Sequence, residues 1–223
     1  MQLVVIEDVL HPQSASLLQA MLHLRSKVFA ERLNWQVESL DGQERDEFDD
    51  QAPTYILLVE GSHRVVGSVR LHQAARSSML AQVFPMLLEG GRLRVHPQMI
   101  ESSRFCIDKD LPQPHHGSGR HRLNVRSAQT SFSSLRTRTL FAGIVEWCLT
   151  NGFRELVTAT DVRFERILRM AGWPMSRLGP ATFINETESV AGSLEISKAV
   201  FERLRPEGYS SFVTLATRKR ASS

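Results

Sequence analysis

The chain has 223 residues, of which 42% are hydrophobic and 23% charged, and it carries a formal net charge of +3 with an isoelectric point near 9.2. That length suits one full-sized domain with a single core, and no run approaches the roughly 18 consecutive apolar residues that span a bilayer. Two cysteines, Cys106 and Cys148, exclude a disulfide framework, and their apolar neighbours mark them as small buried hydrophobes rather than catalytic thiols.

In chain order, Met1-Gln2-Leu3-Val4-Val5-Ile6 reads as a first strand. It lacks a basic leader and a cleavage signal, so the expected location is the cytoplasm. Pro12-Gln13-Ser14 offers a helix start, and Leu17, Leu18, Met21, Leu22, Leu24, Val28 and Phe29 recur at helical spacing up to Leu33-Asn34-Trp35. A long acidic loop over 38–53 follows, a length that is usually functional inside a compact domain. Residues 55–60 and 65–71 form two strands joined by Gly61-Ser62-His63-Arg64, a hairpin signal. A short helical segment over 79–88 contains Phe84 and ends at Gly90-Gly91.

The stretch Glu101-Ser102-Ser103-Arg104-Phe105-Cys106-Ile107-Asp108 reads as an interior strand with an awkward polar load. Phe105 and Ile107 fall on one face, leaving Glu101, Ser103 or Arg104 for the other face or for a bulge. A carboxylate and a guanidinium in such a strand need partners or a ligand. A second polar cluster between Arg25 and Arg70 supplies candidates, and both clusters are expected to line one cleft.

Residues 110–130 read as a flexible surface insertion. A helix is predicted over 135–149, stopped by Asn151-Gly152, then a buried strand at 156–160 and a helix capped by Asp161 that ends at Ala171-Gly172. Two strands at 181–186 and 190–196, a short helix at 197–204 and a tail over 206–223 complete the order. This is an α/β pattern, one mixed sheet with helices on its faces, and a single domain over 1–205. Arginines concentrate between 120 and 177, which implies an anionic macromolecular partner or a solvated basic face. No helix-turn-helix, zinc-finger or aromatic-interleaved pattern supports nucleic acid, and the histidines, including His115, His116 and His121, lack metal-ligand spacing.

Arg25, Phe29, Trp35, Asp46, Asp49 and Arg70, the phrase Glu44-Arg45-Asp46-Glu47-Phe48-Asp49, and Glu101-Ser102-Ser103-Arg104-Phe105 together resemble the acyl-homoserine lactone synthases, the LuxI-type quorum-sensing signal synthases. Phe84 falls where that family has an aromatic, and 156–158 with Met170-Ala171-Gly172-Trp173 is similar to its later strand and helix. The resemblance implies a GNAT-like mixed central sheet flanked by helices, in which strands 101–107 and 154–160 splay apart to admit an acyl-pantetheine. It implies S-adenosylmethionine as a substrate rather than a cofactor, an acylated acyl carrier protein as donor, release of 5′-methylthioadenosine, and no metal, nucleic acid or membrane partner.

On that template the amine of S-adenosylmethionine attacks the acyl thioester and its carboxylate then closes the lactone. An ammonium cannot attack, so a base must accept a proton; Glu101 is the first choice and Glu44 the second. The plain structural alternative for Glu101 is an ion pair with Arg104 or another of the arginines. Arg25, Arg70 and Arg104 suit the ligand carboxylate, and Asp46 and Asp49 its cationic side, although several of these groups can pair with one another. Phe29, Trp35 and Phe84 would wall the adenosine. Phe105 would offer its backbone to the thioester and Ser103 a hydroxyl near the acyl carbonyl. Thr158 aligns with a position where threonine accompanies 3-oxo-acyl chains, and Leu140, Ile144, Trp147 and Leu156 would floor the acyl pocket. Arg154, Arg163, Arg166 and Arg169 would dock the acidic carrier protein. Two alternatives stay open: the same fold using acyl-coenzyme A, and a non-catalytic ligand-binding homologue.

Overall fold

The computed structural model describes residues 1–110 and 125–215. Its elements are β1 (Gln2–Ile6), α1 (Ala15–Ser26), β2 (Ser39–Leu40), β3 (Gln43–Glu44), β4 (Thr54–Glu60), β5 (Arg64–Gln73), α2 (Met79–Val83), β6 (Met99–Ile107), α3 (Val125–Thr150), β7 (Glu155–Asp161), α4 (Val162–Ala171), β8 (Ser176–Arg177), β9 (Thr182–Ile184), β10 (Thr187–Glu195), α5 (Lys198–Leu204) and β11 (Val213–Leu215). One sheet runs β11-β1-β4-β5-β6-β7-β10-β8, with β9 on β10, and β2–β3 is a separate small hairpin. The β6–β7 and β1–β11 pairs are parallel; the others are antiparallel.

Period-two alternation assigns the strand side chains to two cores. Val4, Ile6, Leu57 and Val59 pack with Leu17, Met21, Leu24 and Phe29 of the α1 side. Leu3, Val5, Ile56 and Leu58 pack with Leu140, Ile144, Val145 and Cys148 of α3. Gly143 permits the close approach of that helix, since a Cβ there would lie 2.8 Å from Leu3 Cδ1.

The parallel β6–β7 pair is short. It comprises Met99 with Glu155, Ile100 with Leu156 and Glu101 with Val157. Beyond those residues no pairing joins the two strands, both of which lie wholly among the described residues, so the sheet opens as a V toward their C-terminal ends. This is the splay expected for strands 101–107 and 154–160.

Three boundaries differ from the sequence expectation. The helix beginning near residue 12 is composite: a 3-10 turn at Pro12–Ser14, α1, and a π-helical stretch at Lys27–Arg32, a local widening that recurs at functional sites. Residues 125–130, assigned to the insertion, are the start of α3; residues 111–124, with His115, His116, His121, Arg120 and Arg122, lie outside the described residues. The segment after 205 is integrated with the sheet, because β11 pairs with β1 and Tyr209 and Phe212 pack on the core. Residues 205–212 separate β11 from the preceding helix, and a three-residue strand has too little period to be read locally.

Candidate active site

Three guanidinium groups and three carboxylates interlock on the α1 side of the sheet. Arg25 Nε donates to Glu44 Oε2 at 2.5 Å, and its terminal nitrogens donate to both oxygens of Asp49 at 2.7 and 2.9 Å. Arg70 forms a two-point pair with Asp46 and also contacts Asp49 at 2.8 Å. Arg104 reaches Glu44 Oε1 at 2.9 Å and Asp46 Oδ2 at 2.7 Å.

Local structure places these groups. Asp46 and Asp49 bracket the 3-10 turn Glu47–Asp50 as a reciprocal capping box: Asp46 accepts from the Phe48 amide at 2.9 Å and Asp49 from the Asp46 amide at 2.9 Å. The same two carboxylates therefore cap a turn and pair with arginines. The Asp46-x-x-Asp49 spacing carries that signal in the sequence. Tyr55, which the sequence marks only as a strand residue, donates to Asp49 Oδ1 at 2.5 Å.

Arg104 is placed by a β-bulge. Across β5–β6, Ser68 pairs with Cys106 but Arg70 pairs with Ser103, so β6 carries one extra residue. Arg104 has φ +53°, a left-handed conformation that costs a non-glycine residue about 1 kcal/mol or more. The bulge turns Arg104 onto the same face as Ser103 and then restores the alternation, so that Cys106 faces the α1 core and Phe105 and Ile107 the α3 core.

Burial divides the ionic network. The side chains of Arg25 and Arg70 are at most 1% exposed, whereas Arg104 is 14% and Asp46 18% exposed. Burial raises the Asp49 carboxyl, but the hydrogen bonds and charge of Arg25, with Arg70 and Tyr55, reverse this and hold it far below the usual carboxylate range. Asp46 is lowered for the same reason, burial being overcome by Arg70 and Arg104.

Glu101 stands apart from this network. Its Oε1 accepts from the Leu80 amide at 2.8 Å at the start of α2, and it forms no ion pair to Arg104 or another arginine among the described residues. The structural alternative weighed for Glu101, an ion pair with Arg104, is therefore not the arrangement found: the bulge sends Arg104 to Glu44 and Asp46 instead. Burial raises the Glu101 carboxyl, with Ser78, the Leu80 and Met79 amides and Arg70 limiting the rise.

The aromatic candidates separate. Phe29 and Trp35 stack with centroids 5.1 Å apart, because the chain folds back after the π-helical turn and the Trp35 amide donates to the Phe29 carbonyl at 2.8 Å. The Arg104 guanidinium lies 5.7 Å from the Phe29 ring centre. Phe84 does not share that stack; it packs on the cluster of Leu80, Leu87 and Met99 beside α2.

Phe105 points into the V with Phe141 at 5.1 Å and Phe164 at 4.9 Å, and Trp173 closes the cluster 5.6 Å from Phe141. Nothing in the sequence singles out Phe141 and Phe164, because their helical spacing reads as ordinary core, and Trp173 enters only through the family resemblance at 170–173. Leu140, Ile144 and Leu156 are buried in the same core. Trp147 is buried in that core too, and it also donates to Glu7 at 3.0 Å and stacks on Phe153, about 9 Å along α3 from Phe141. The Thr158 hydroxyl donates to the Ser102 carbonyl at 2.9 Å, at the vertex where pairing ends. Ser103 lies on the ionic face, where its hydroxyl accepts from Arg70 Nε at 3.0 Å, rather than on the Phe105 face.

Of the arginine cluster, Arg154, Arg163, Arg166 and Arg169 are exposed, the last three along α4. Arg136 is not part of a basic surface. It is fully buried, pairs with both oxygens of Glu60 at 3.0 Å, and donates to the carbonyls of Asp108 and Asp110, which clasps the end of β6.

A mixed sheet that opens between two parallel strands beside an ionic site defines an acyltransferase of the GNAT-like class. Residues 10–204 match the family model for autoinducer synthases. The chain is 47% identical over 198 residues to an acyl-homoserine-lactone synthase of Rhizobium radiobacter, covering 89% of this chain and 87% of that protein. It thus belongs to the autoinducer synthase family, the LuxI-type acyl-homoserine lactone synthases. Among solved structures, TofI in a ternary complex with an inhibitor and MTA superposes with a TM-score of 0.70 at 28% identity, over 92% of this chain and 96% of that one. BjaI, a CoA-dependent acyl-homoserine lactone synthase with SAM and isopentyl-CoA, shares the fold with a TM-score of 0.79 at 24% identity, over 97% and 94%.

Proposed function

We propose that this synthase joins a 3-oxo-acyl group, delivered by acyl carrier protein, to the amine of S-adenosylmethionine and closes the product to an N-acyl-homoserine lactone. The observation that carries the reading is the division of the ionic network: Arg25, Arg70, Glu44 and Asp49 are sealed, while Arg104 and Asp46 keep partial exposure beside the Phe29–Trp35 stack. A guanidinium and a carboxylate held in fixed positions match the opposite charges of an amino-acid ligand. The MTA bound by TofI is consistent with release of 5′-methylthioadenosine.

In the acyl transfer, the amine nitrogen forms a bond to the thioester carbon, the carrier thiolate leaves, and the ammonium proton passes to Glu101, directly or through water. The carboxylate oxygen of the same ligand then attacks the carbon attached to the sulfonium, and neutral methylthioadenosine leaves. The Thr158 hydroxyl at the vertex of the V would serve a 3-oxo group by turning its one proton from the Ser102 carbonyl to the ligand, and the exposed arginines of α4 suit an acidic carrier protein. Mass spectrometry of an organic extract from a host expressing the chain tests this reading: an N-acyl-homoserine lactone with a 3-oxo substituent is expected. Purified enzyme supplied with acyl carrier protein or coenzyme A thioesters separates the donors.

A further inference from the structure

His72 and Glu101 occupy directly opposed positions on β5 and β6. Opposed residues put their Cβ atoms about 5 Å apart on one face of the sheet. Both residues are more than nine-tenths buried, His72 at 7% and Glu101 at 4% exposure. His72 Nε2 and Glu101 Oε2 are buried side-chain atoms without a hydrogen-bonding partner among the described residues. Burial holds the His72 imidazole neutral at neutral pH, with the Phe48 backbone opposing the shift; the tautomer that carries its proton on Nδ1 keeps a lone pair on Nε2. Glu101 Oε1 is already held by the Leu80 amide. In that tautomer the two opposed residues each present a buried acceptor without a partner, and neither can donate to the other while Glu101 is ionised.

We infer that one water molecule binds between His72 Nε2 and Glu101 Oε2, donating one hydrogen to each, and that His72 is through this water a positioning residue for Glu101. A water has the two donors that two opposed acceptors require, and buried polar groups of this kind are characteristically satisfied that way. The consequence for the reaction rests on the reading of Glu101 as the proton acceptor. A buried carboxylate that keeps hydrogen bonds to both oxygens stays ionised, and only the ionised form accepts a proton from the ligand ammonium. The charged groups acting on His72 are Arg70, Asp49 and Asp46, together with the Phe48 backbone. Those acting on Glu101 are Arg70, the Ser78 hydroxyl and the Leu80 and Met79 amides. His72→Leu leaves all of them in place.

Two measurements test the inference. A crystal structure of the ligand-free protein at a resolution that orders solvent should show one water within about 3.2 Å of both atoms. A direct His72–Glu101 contact, or no water between them, overturns it. Titration of the Glu101 carboxyl by carbon NMR, assigned by loss of its signal in Glu101→Gln, should show its pKa rising by about one unit or more in His72→Leu. In His72→Gln, whose amide oxygen again offers an acceptor, the pKa should return most of the way. An unmoved Glu101 titration in His72→Leu overturns the inference, and if that variant does not fold, a titration in His72→Gln displaced as far as the loss of the water requires does the same. If Glu101→Gln retains full turnover, the reading of Glu101 as the base fails while the water site and the titration shift stand, so the two failures are distinct.

Discussion

Glu44 Oε1 receives a hydrogen bond from Arg104 Nε at 2.9 Å across 60 residues of chain, while Glu44 Oε2 receives one from Arg25 Nε. A single fully buried carboxylate thus joins the α1 helix to the bulge of β6. The tie fixes Arg104, which keeps partial exposure, to Arg25, which is sealed.

Removing Arg25 should be a stability lesion. Arg25→Ala leaves Glu44 and Asp49 buried with part of their compensation gone, and truncating one partner of a buried ion pair costs about 3–5 kcal/mol. Urea denaturation should show a loss of that order; a change below about 1 kcal/mol would contradict the assignment of Arg25 to the scaffold.

Arg104→Lys should separate binding from folding. Lysine keeps the charge but not the planar fork that spans Glu44 and Asp46, and the site is partly exposed. The expected result is a KM for S-adenosylmethionine raised about tenfold or more with unfolding stability changed by less than about 1 kcal/mol. Comparable losses in both would place Arg104 with the scaffold.

The pH dependence of stability should begin at His72. Burial, with Arg70 adding to it, lowers this imidazole to about 4, against an ordinary value of about 6.5. Between those values the unfolded chain binds more protons than the folded protein, so stability falls as pH drops from about 6.5 toward 4, on the order of 3 kcal/mol in total. Asp46 and Asp49, depressed by their arginines, add a second loss only as the pH falls below about 4. Denaturant midpoints measured across this range should show the first slope in the wild type and not in His72→Leu.

Thr158→Val removes the hydroxyl at nearly constant volume. Because that hydroxyl sits at the vertex of the V and donates to the Ser102 carbonyl, its loss should reduce the preference for 3-oxo over unsubstituted acyl donors by about tenfold, one hydrogen bond's worth. An unchanged ratio of kcat/KM values would remove Thr158 from the specificity site.

Arg163, Arg166 and Arg169 form the exposed basic stripe of α4. Charge reversal in Arg166→Glu should raise the KM for acyl carrier protein several-fold, and salt should raise the wild-type KM steeply. A KM insensitive to salt would exclude this face as the dock.

Much of the fold was legible because its signals are local. The helical spacing from Leu17 to Phe29, the Gly61–Arg64 hairpin turn and the Asp161 and Gly172 caps each act over a short run of chain. The charged strand 101–108 was legible as needing partners, but Asp46 and Asp49 on their own read as a solvated acidic loop, and the family resemblance made the residues a set. Which charge met which was not legible. A Glu101–Arg104 pair was one alternative the sequence left open, and the extra residue in β6 took Arg104 instead to Glu44 and Asp46.

The sequence by itself determined the mixed α/β order, and through its family resemblance the membership of the polar set and the strands that open. Only the tertiary structure decided that Arg25 and Arg70 are sealed while Arg104 is not, that Phe84 lies apart from the Phe29–Trp35 stack, that residues 213–215 close one edge of the sheet, and that His72 lies opposite Glu101. The reason is physical. Propensity and periodicity act over a few residues, whereas strand register and one bulge, fixed by the packing of distant segments, choose the face on which each side chain lies.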